Sequence, residues 1–143
     1  MVGSLSLGLG MTGVAALQKS VDPNLVVRPY AGGSPENWVV TDEALVGAAG
    51  AVSSTGYLNL REAVATASTY RVEFTVSGAV GQIGARFGES SWFDGGTAYG
   101  PFGDGSHSID IAPSSTEGRI HFGAWSNNSE YATVTAVSVV KLA

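Results

Sequence analysis

The chain has 143 residues, which is enough for one domain with a hydrophobic core and too few for two domains of ordinary size. Seven basic residues stand against twelve acidic ones, and the formal net charge of −5 argues against nucleic acid as a partner, because phosphates need a basic face. Without cysteine the chain can form neither disulfides nor thiolate metal sites, and its two histidines alone cannot build a conventional zinc centre.

The N-terminal segment is apolar and uncharged. Residues 4–11 alternate apolar side chains with Ser or Gly, which predicts a strand-like arm. Residues 2–17 lack the basic start of a secretory signal and are shorter than the roughly 20 residues of a membrane helix, so we expect no membrane partner. Four apolar side chains line one edge of the arm and are the predicted partner-docking residues: Leu5, Leu7, Leu9 and Met11.

A Pro- and Gly-rich stretch follows the arm. Residues 22–37 contain three prolines and two adjacent glycines, a composition typical of an extended connector. We therefore divide the chain into an arm and connector over residues 1–23 and a folded domain over residues 24–143.

Strand patterns dominate the rest of the chain. Tyr70, Val72, Phe74 and Val76 alternate with polar residues, which indicates a half-buried strand. Residues 81–88 repeat the alternation, and the short Gly-containing link between the two segments predicts that they pair as a hairpin. Further strands are predicted at residues 38–41, 44–53, 57–64, 106–112, 119–125 and 131–142.

Two local features qualify this all-β pattern. In the last strand the apolar positions change parity between Thr135 and Val137, which predicts a β-bulge. Residues 60–66 fit either the end of a strand or one short helical turn. No segment fits a helix of more than two turns. Strands at such regular spacing indicate a β-sandwich.

The order of these segments resembles a known family. Asn24-Leu25, Trp38 opening a strand, Tyr57-Leu58-Asn59-Leu60, residues 68–77, and the last three strands at residues 105–111, 119–122 and 134–139 are similar to jelly-roll domains grouped with carbohydrate-binding modules and galactose-binding-like domains. The resemblance covers residues 24–142. It implies an all-β jelly-roll sandwich of two antiparallel sheets, here with an extended N-terminal arm.

A second resemblance concerns biological context. Many such domains occur in bacteriophage virion proteins, and residues 5–10 resemble the openings of small phage structural proteins. The sequence contains one such module and a short arm, with no catalytic domain, which favours a building block over an enzyme. The resemblance implies a virion protein made in the host cytoplasm, with capsid or tail-fibre proteins as partners.

A Gly-rich stretch carries the candidate ligand-binding residues. Residues 89–105 contain four aromatic rings and two aspartates, and rings beside carboxylates suit sugars, whose CH faces stack while oxygens bind the hydroxyls. The alternative is that Trp92 and Phe93 fold inward and the stretch is a turn-rich hairpin. With a second aromatic platform near the end of the chain, the candidate glycan contacts are Trp92, Phe93, Asp94, Tyr99, Asp104 and Trp125.

Other chemistry has weaker support. Asp94 and Asp104 could hold calcium with nearby carbonyls, although their spacing lacks the alternating acidic ladder of a dedicated calcium loop, so no cofactor is predicted. His107 and His121 are assigned to outward-facing strand positions, and no catalytic constellation can be named around them.

The combined expectation is a non-enzymatic structural protein of a phage-like virion, either a capsid decoration or cement protein or a component of a fibre or spike. The alternative is a carbohydrate-binding module that acts as a glycan or host-surface adhesin. We expect a homo-oligomer, by analogy a trimer, because a greasy arm and a small-residue strand leave apolar surface to cover. The arm either docks onto another subunit or virion protein or pairs within its own sandwich.

Overall fold

The computed structural model of the protein describes residues 22–33, 38–48, 55–87, 98–114, 116–126 and 129–142. These residues form ten strands and no helix, and so none that could span a membrane. The strands are β1 (Gly32–Gly33), β2 (Trp38–Val40), β3 (Ala44–Gly47), β4 (Thr55–Asn59), β5 (Tyr70–Val80), β6 (Ile83–Phe87), β7 (Tyr99–Phe102), β8 (Gly105–Ile111), β9 (Arg119–Ala124) and β10 (Tyr131–Lys141).

The strands form two antiparallel sheets of five strands each, as a jelly-roll sandwich requires. The order β1-β4-β9-β6-β7 makes what we call the front sheet, and the order β2-β3-β10-β5-β8 makes the back sheet. The all-β fold predicted from the sequence is therefore confirmed. Residues 1–21, which include the predicted arm, lie outside the described residues.

The core lies between the sheets and follows the alternation of side chains along each strand. In β5 the apolar positions are buried and the polar positions are exposed or half-buried up to Ser77. The Phe74 ring has its centroid 5.0 Å from those of Phe102 and Phe122, which come from β7 and β9 of the opposite sheet. This edge-to-face cluster joins the two layers.

The predicted hairpin between the strands around Phe74 and Ile83 is wrong. Strand β5 pairs with β10 and β8 in the back sheet, whereas β6 pairs with β9 and β7 in the front sheet. The chain crosses between the layers at Gly81, whose φ of +72° suits glycine. The Glu130 carboxylate holds this crossing by accepting hydrogen bonds from the backbone N–H groups of Gln82 (3.0 Å) and Ser126 (2.6 Å).

The predicted β-bulge is confirmed. The pairing of β10 with β5 shifts register between Thr135 and Ser138, and Ala136 takes a φ of +52°. The Tyr30 hydroxyl accepts a hydrogen bond of 2.8 Å from the N–H of Val137, so the bulge is tied to the segment before β1.

That segment belongs to the sandwich rather than to a free connector. Leu25 is buried and donates its N–H to the carbonyl of Val139 at 2.8 Å, and Val26 forms a β-bridge with Leu60. Residues 60–66 show the bridge and then irregular backbone, so the alternative of a helical turn there is not realised. Leu25 and Val26 are thus part of the folded sandwich.

Candidate functional site: the outer face of the front sheet

Side-chain parity defines the outer face of the front sheet. Ile120 and Phe122 of β9 point into the core. The alternate positions therefore point outward: Arg119, His121, Gly123 and, directly after the strand, Trp125. The antiparallel register puts Tyr57 of β4 and Arg86 of β6 on either side of His121, in one row across three strands. The next row along β9 is Gly123 with Gly84, and Trp125 follows directly after the strand. We call this surface the front face.

Trp125 lies on a seat made by two glycines of the front face. A Cβ atom on Gly84 would lie 2.7 Å from Cε3 of the indole, and one on Gly100 would lie 3.2 Å from the same atom. Contacts that short exclude a side chain at Gly84 unless the indole moves. The ring therefore rests against the backbone of β6 and β7 while remaining partly exposed to solvent.

A second aromatic group occupies the other end of the front face. The Tyr57 ring is half-buried, and the Arg119 guanidinium lies over it with Cζ 4.5 Å from the ring centroid. The His121 ring lies beside the same tyrosine at a centroid distance of 5.4 Å and an interplanar angle of 50°. Cation–π attraction holds the exposed arginine in place. The Trp125 indole lies over Gly84, in the row next to that of Tyr57, His121 and Arg86.

His121 is buried although its position in β9 faces outward. It is only 2% exposed, and neither ring nitrogen has a hydrogen-bond partner among the described residues. Burial, reinforced by the positive charges of Arg119 and Arg86, lowers its pKa from 6.5 to about 4. The imidazole is therefore neutral at pH 7, with one N–H donor and one nitrogen acceptor unused within the described structure.

The residues predicted from the sequence as glycan contacts are not all in one place. Trp125 lies on the front face. Tyr99 is half-buried and packs against the core, and Asp104 accepts a hydrogen bond of 2.9 Å from the backbone N–H of Ala79 in the back sheet. The other predicted contacts lie outside the described residues, as do the predicted docking residues of the arm: Trp92, Phe93, Asp94, Leu5, Leu7, Leu9 and Met11.

The outward position assigned to His107 is wrong. It pairs with Phe74, and its ring lies 4.9 Å from that of Phe102, at the edge of the core. The ring nitrogen Nε2 lies 2.7 Å from the carbonyl oxygen of Gly103, so this nitrogen already takes part in a hydrogen bond within the fold. Within the described part of the chain no three His, Asp or Glu side chains cluster as metal ligands, so the calcium hypothesis around Asp104 gains no support there.

Sequence reasoning missed most of the front face. Tyr57 was assigned to a strand, and Arg86 and Arg119 to the polar side of theirs, yet none was singled out as a site residue. The only available signal was parity, which puts Arg119, His121 and Trp125 on one side of the strand. Their meeting with Tyr57 depends on the pairing of β9 with β4, strands more than 60 residues apart in sequence.

Comparisons with known proteins agree with the fold. No protein-family model matches the chain, and no curated protein matches it. Among solved structures it is similar to a low-affinity xylan-binding module, CBM86, from the gut symbiont Roseburia intestinalis, with 18% identity, a TM-score of 0.51, and coverage of 85% of this chain and 89% of that chain. At that identity the likeness shows a shared fold and nothing about the ligand of this chain.

Two further solved structures align less well. A carbohydrate-binding module of family 29 has 10% identity and a TM-score of 0.48 over 83% of this chain and 85% of that chain. The secreted serine protease VesC from Vibrio cholerae has 14% identity and a TM-score of 0.44, over 96% of this chain and 29% of that chain.

Proposed function

We propose that this protein is a non-catalytic carbohydrate-binding module and that it binds a glycan along the front face. The observation that carries the proposal is the seat of Trp125, whose partly exposed indole is held against the sheet by Gly84 and Gly100. An indole fixed in this way offers an apolar surface on which the CH groups of a sugar ring can stack. Because the ring is already immobilised, stacking costs little additional conformational entropy.

Polar groups near the tyrosine end supply what sugar hydroxyls need. Asn59 is half-buried opposite Arg119 in the pairing of β4 with β9, and its side-chain amide offers both donors and an acceptor. The exposed guanidinium of Arg119 lies over the Tyr57 ring in the adjacent row and supplies further donors. Sugar sites combine ring faces with a few fixed donors and acceptors, which is the composition found here.

The fold adds support to this proposal. The xylan-binding module from Roseburia intestinalis shares the architecture across nearly the full length of both chains. Fold similarity alone never fixes a ligand, so the argument depends on the residues of the front face.

The test is binding to a polysaccharide panel by affinity electrophoresis and isothermal titration calorimetry. We expect Trp125→Ala to abolish binding, with Trp125→Phe retaining part of it because a smaller ring still occupies the seat. The matched control is Val39→Ala, which removes an exposed apolar side chain (59% exposed) from the back sheet and should leave binding unchanged. The proposal fails if wild-type protein binds no polysaccharide, or if Trp125→Ala binds as well as wild type.

A virion role remains a prediction from the N-terminal sequence. The docking residues on which it rests lie outside the described residues, and so does any evidence about oligomerisation. Carbohydrate binding and a place on a fibre or spike are compatible, because a host-surface glycan is one ligand that such a protein could bind. Deletion of residues 1–20 followed by a particle-binding assay and a melting curve would separate docking of the arm from its pairing within the sandwich.

A further inference from the structure

The charged side chains on the described front-sheet strands are arginines, although the whole chain is acidic. The whole chain has a formal net charge of −5, yet the described outward-facing side chains of the front-sheet strands include Arg86 and Arg119 and no carboxylate. Exposed Arg119 therefore carries a charge opposite in sign to the net charge of the chain.

Arg119 is the accessible cation of this face. Its side chain is exposed, lies over Tyr57, and forms no ion pair with any described residue. Arg71 of the back sheet behaves differently, because its Nε and one terminal nitrogen donate to both carboxylate oxygens of Asp110 at 2.9 and 3.1 Å. Arg61 also has partners within the fold, since it donates hydrogen bonds to the backbone carbonyls of Asp22 and Asn24.

We propose that the glycan bound on the front face is acidic, and that Arg119 binds the carboxylate of a uronic acid residue while Trp125 stacks on a neighbouring sugar. This inference rests on the proposed function. A guanidinium is donor-only, and its planar fork matches the two oxygens of a carboxylate. Support from the Tyr57 ring orients Arg119 before the ligand arrives, which reduces the entropy that binding would otherwise cost. Asn59, opposite Arg119 across the strands, can bind adjacent hydroxyls.

The test uses the full chain and pairs of polysaccharides that differ only in their carboxylates. Glucuronoxylan, polygalacturonate and alginate are each compared with the carboxyl-reduced form, in which the uronate is converted to a neutral sugar. Dextran sulfate beside dextran tests whether any anion suffices. We expect at least one uronate polymer to bind about ten-fold or more tightly than its reduced form, as loss of a charge-assisted hydrogen bond predicts. The preference should weaken as salt is raised.

Variants test whether Arg119 causes the preference for a uronate polymer over its carboxyl-reduced form. Arg119→Ala should bind the parent and reduced polymers equally, and Arg119→Lys should keep only part of the preference because it retains charge without the fork. Arg28→Ala is the matched control: it also removes a guanidinium above a tyrosine, with Cζ 5.6 Å from the Tyr30 centroid, but on the back-sheet side of the sandwich. It should keep the full preference. Trp125→Ala should lose the parent and reduced polymers alike.

The outcomes separate this inference from the function on which it rests. Equal binding of parent and reduced polymers by wild-type protein overturns the acidic-glycan inference and leaves carbohydrate binding intact. A preference that survives in Arg119→Ala overturns the role of Arg119. Binding of dextran sulfate as tightly as the best uronate polymer overturns carboxylate recognition in favour of general anion attraction. Failure to bind any polysaccharide overturns both proposals.

Discussion

The outer faces of the two sheets use polar residues in opposite ways. On the back sheet, β5 and β8 pair their outward side chains with one another, as Arg71 does with Asp110 at 2.9 Å and Thr75 with Ser106 at 3.1 Å. On the front face, His121 is buried without a hydrogen-bond partner in the described structure. The Trp125 indole packs against Gly84 and Gly100, where a side chain would collide with it. Both faces belong to the same sandwich and cover the same core.

The difference shows where a ligand can gain free energy. Side chains that already satisfy one another in water offer little to a partner, and exposed ion pairs add little stability. Buried polar groups without partners cost stability. The back face is thus a solvated surface, whereas the front face contains a buried imidazole with no hydrogen-bond partner among the described residues.

The largest expected effect concerns the core beneath both faces. Phe74→Ala should destabilise the fold by about 3 to 5 kcal/mol, because its ring is 2% exposed and packs edge-to-face on two other rings. Arg71→Ala, three residues earlier on the exposed face of the same strand, is the control and should leave the unfolding curve nearly unchanged. Equal losses in urea denaturation would mean that the two faces of β5 are assigned the wrong way round.

His121 gives the next largest effect, as a dependence of stability on pH. Its pKa is about 4 in the folded state and 6.5 in the unfolded state, so between these values the unfolded chain binds a proton that the folded chain lacks. The contribution of His121 to the free energy of unfolding is therefore fully present above pH 6.5. It is lost as the pH falls to 4, by roughly 3 kcal/mol in total. Denaturation at pH 7 and pH 4.5 should show the loss.

The control for this pH effect is His121→Gln, which cannot titrate. Its stability should change less than that of wild type over the same interval, because only the other titrating groups remain. Parallel pH profiles for the two proteins would show that His121 is not the buried neutral group described above.

Gly84→Ala should remove the seat of the indole without removing the indole. The new methyl group would lie 2.7 Å from Cε3 of Trp125, and overpacking of this kind costs about 1 to 3 kcal/mol. Glycan binding should fall together with stability, because the displaced ring no longer lies against the sheet. Gly103→Ala is the control, since a Cβ there meets no atom within 4 Å. Unchanged calorimetric binding in Gly84→Ala would separate the seat from the site.

The smallest effect belongs to the back face. A double-mutant cycle on Arg71 and Asp110 should give no resolvable coupling in denaturation experiments, because both side chains are about half exposed and water screens the pair. Arg71 lowers the pKa of Asp110, so any contribution disappears only below pH 3.8 as that carboxyl is protonated. The same variants should bind glycans as wild type does. Weakened binding would place part of the site on the back sheet.

Local chemistry alone was enough to establish the class of fold. Alternation along β5 identified which of its side chains are buried, and the parity change near Ala136 located the bulge, because both depend only on a repeat of two residues. The short strands β1 and β7 were missed, since Gly32–Gly33 and the Gly-Pro pair within Tyr99–Phe102 have little strand propensity of their own. Pairing with β4 and β6 makes them strands.

The sequence by itself therefore determined the all-β composition and the inward face of the strand around Phe74. Only the tertiary structure decided which strands are neighbours: it separated β5 from β6 and brought Tyr57 beside His121 and Arg119. The physical reason is that alternation specifies a face but not a partner, because any strand with an apolar side can pair with several others. The front face is assembled entirely from such long-range pairings, so it became visible only once the sheets were formed.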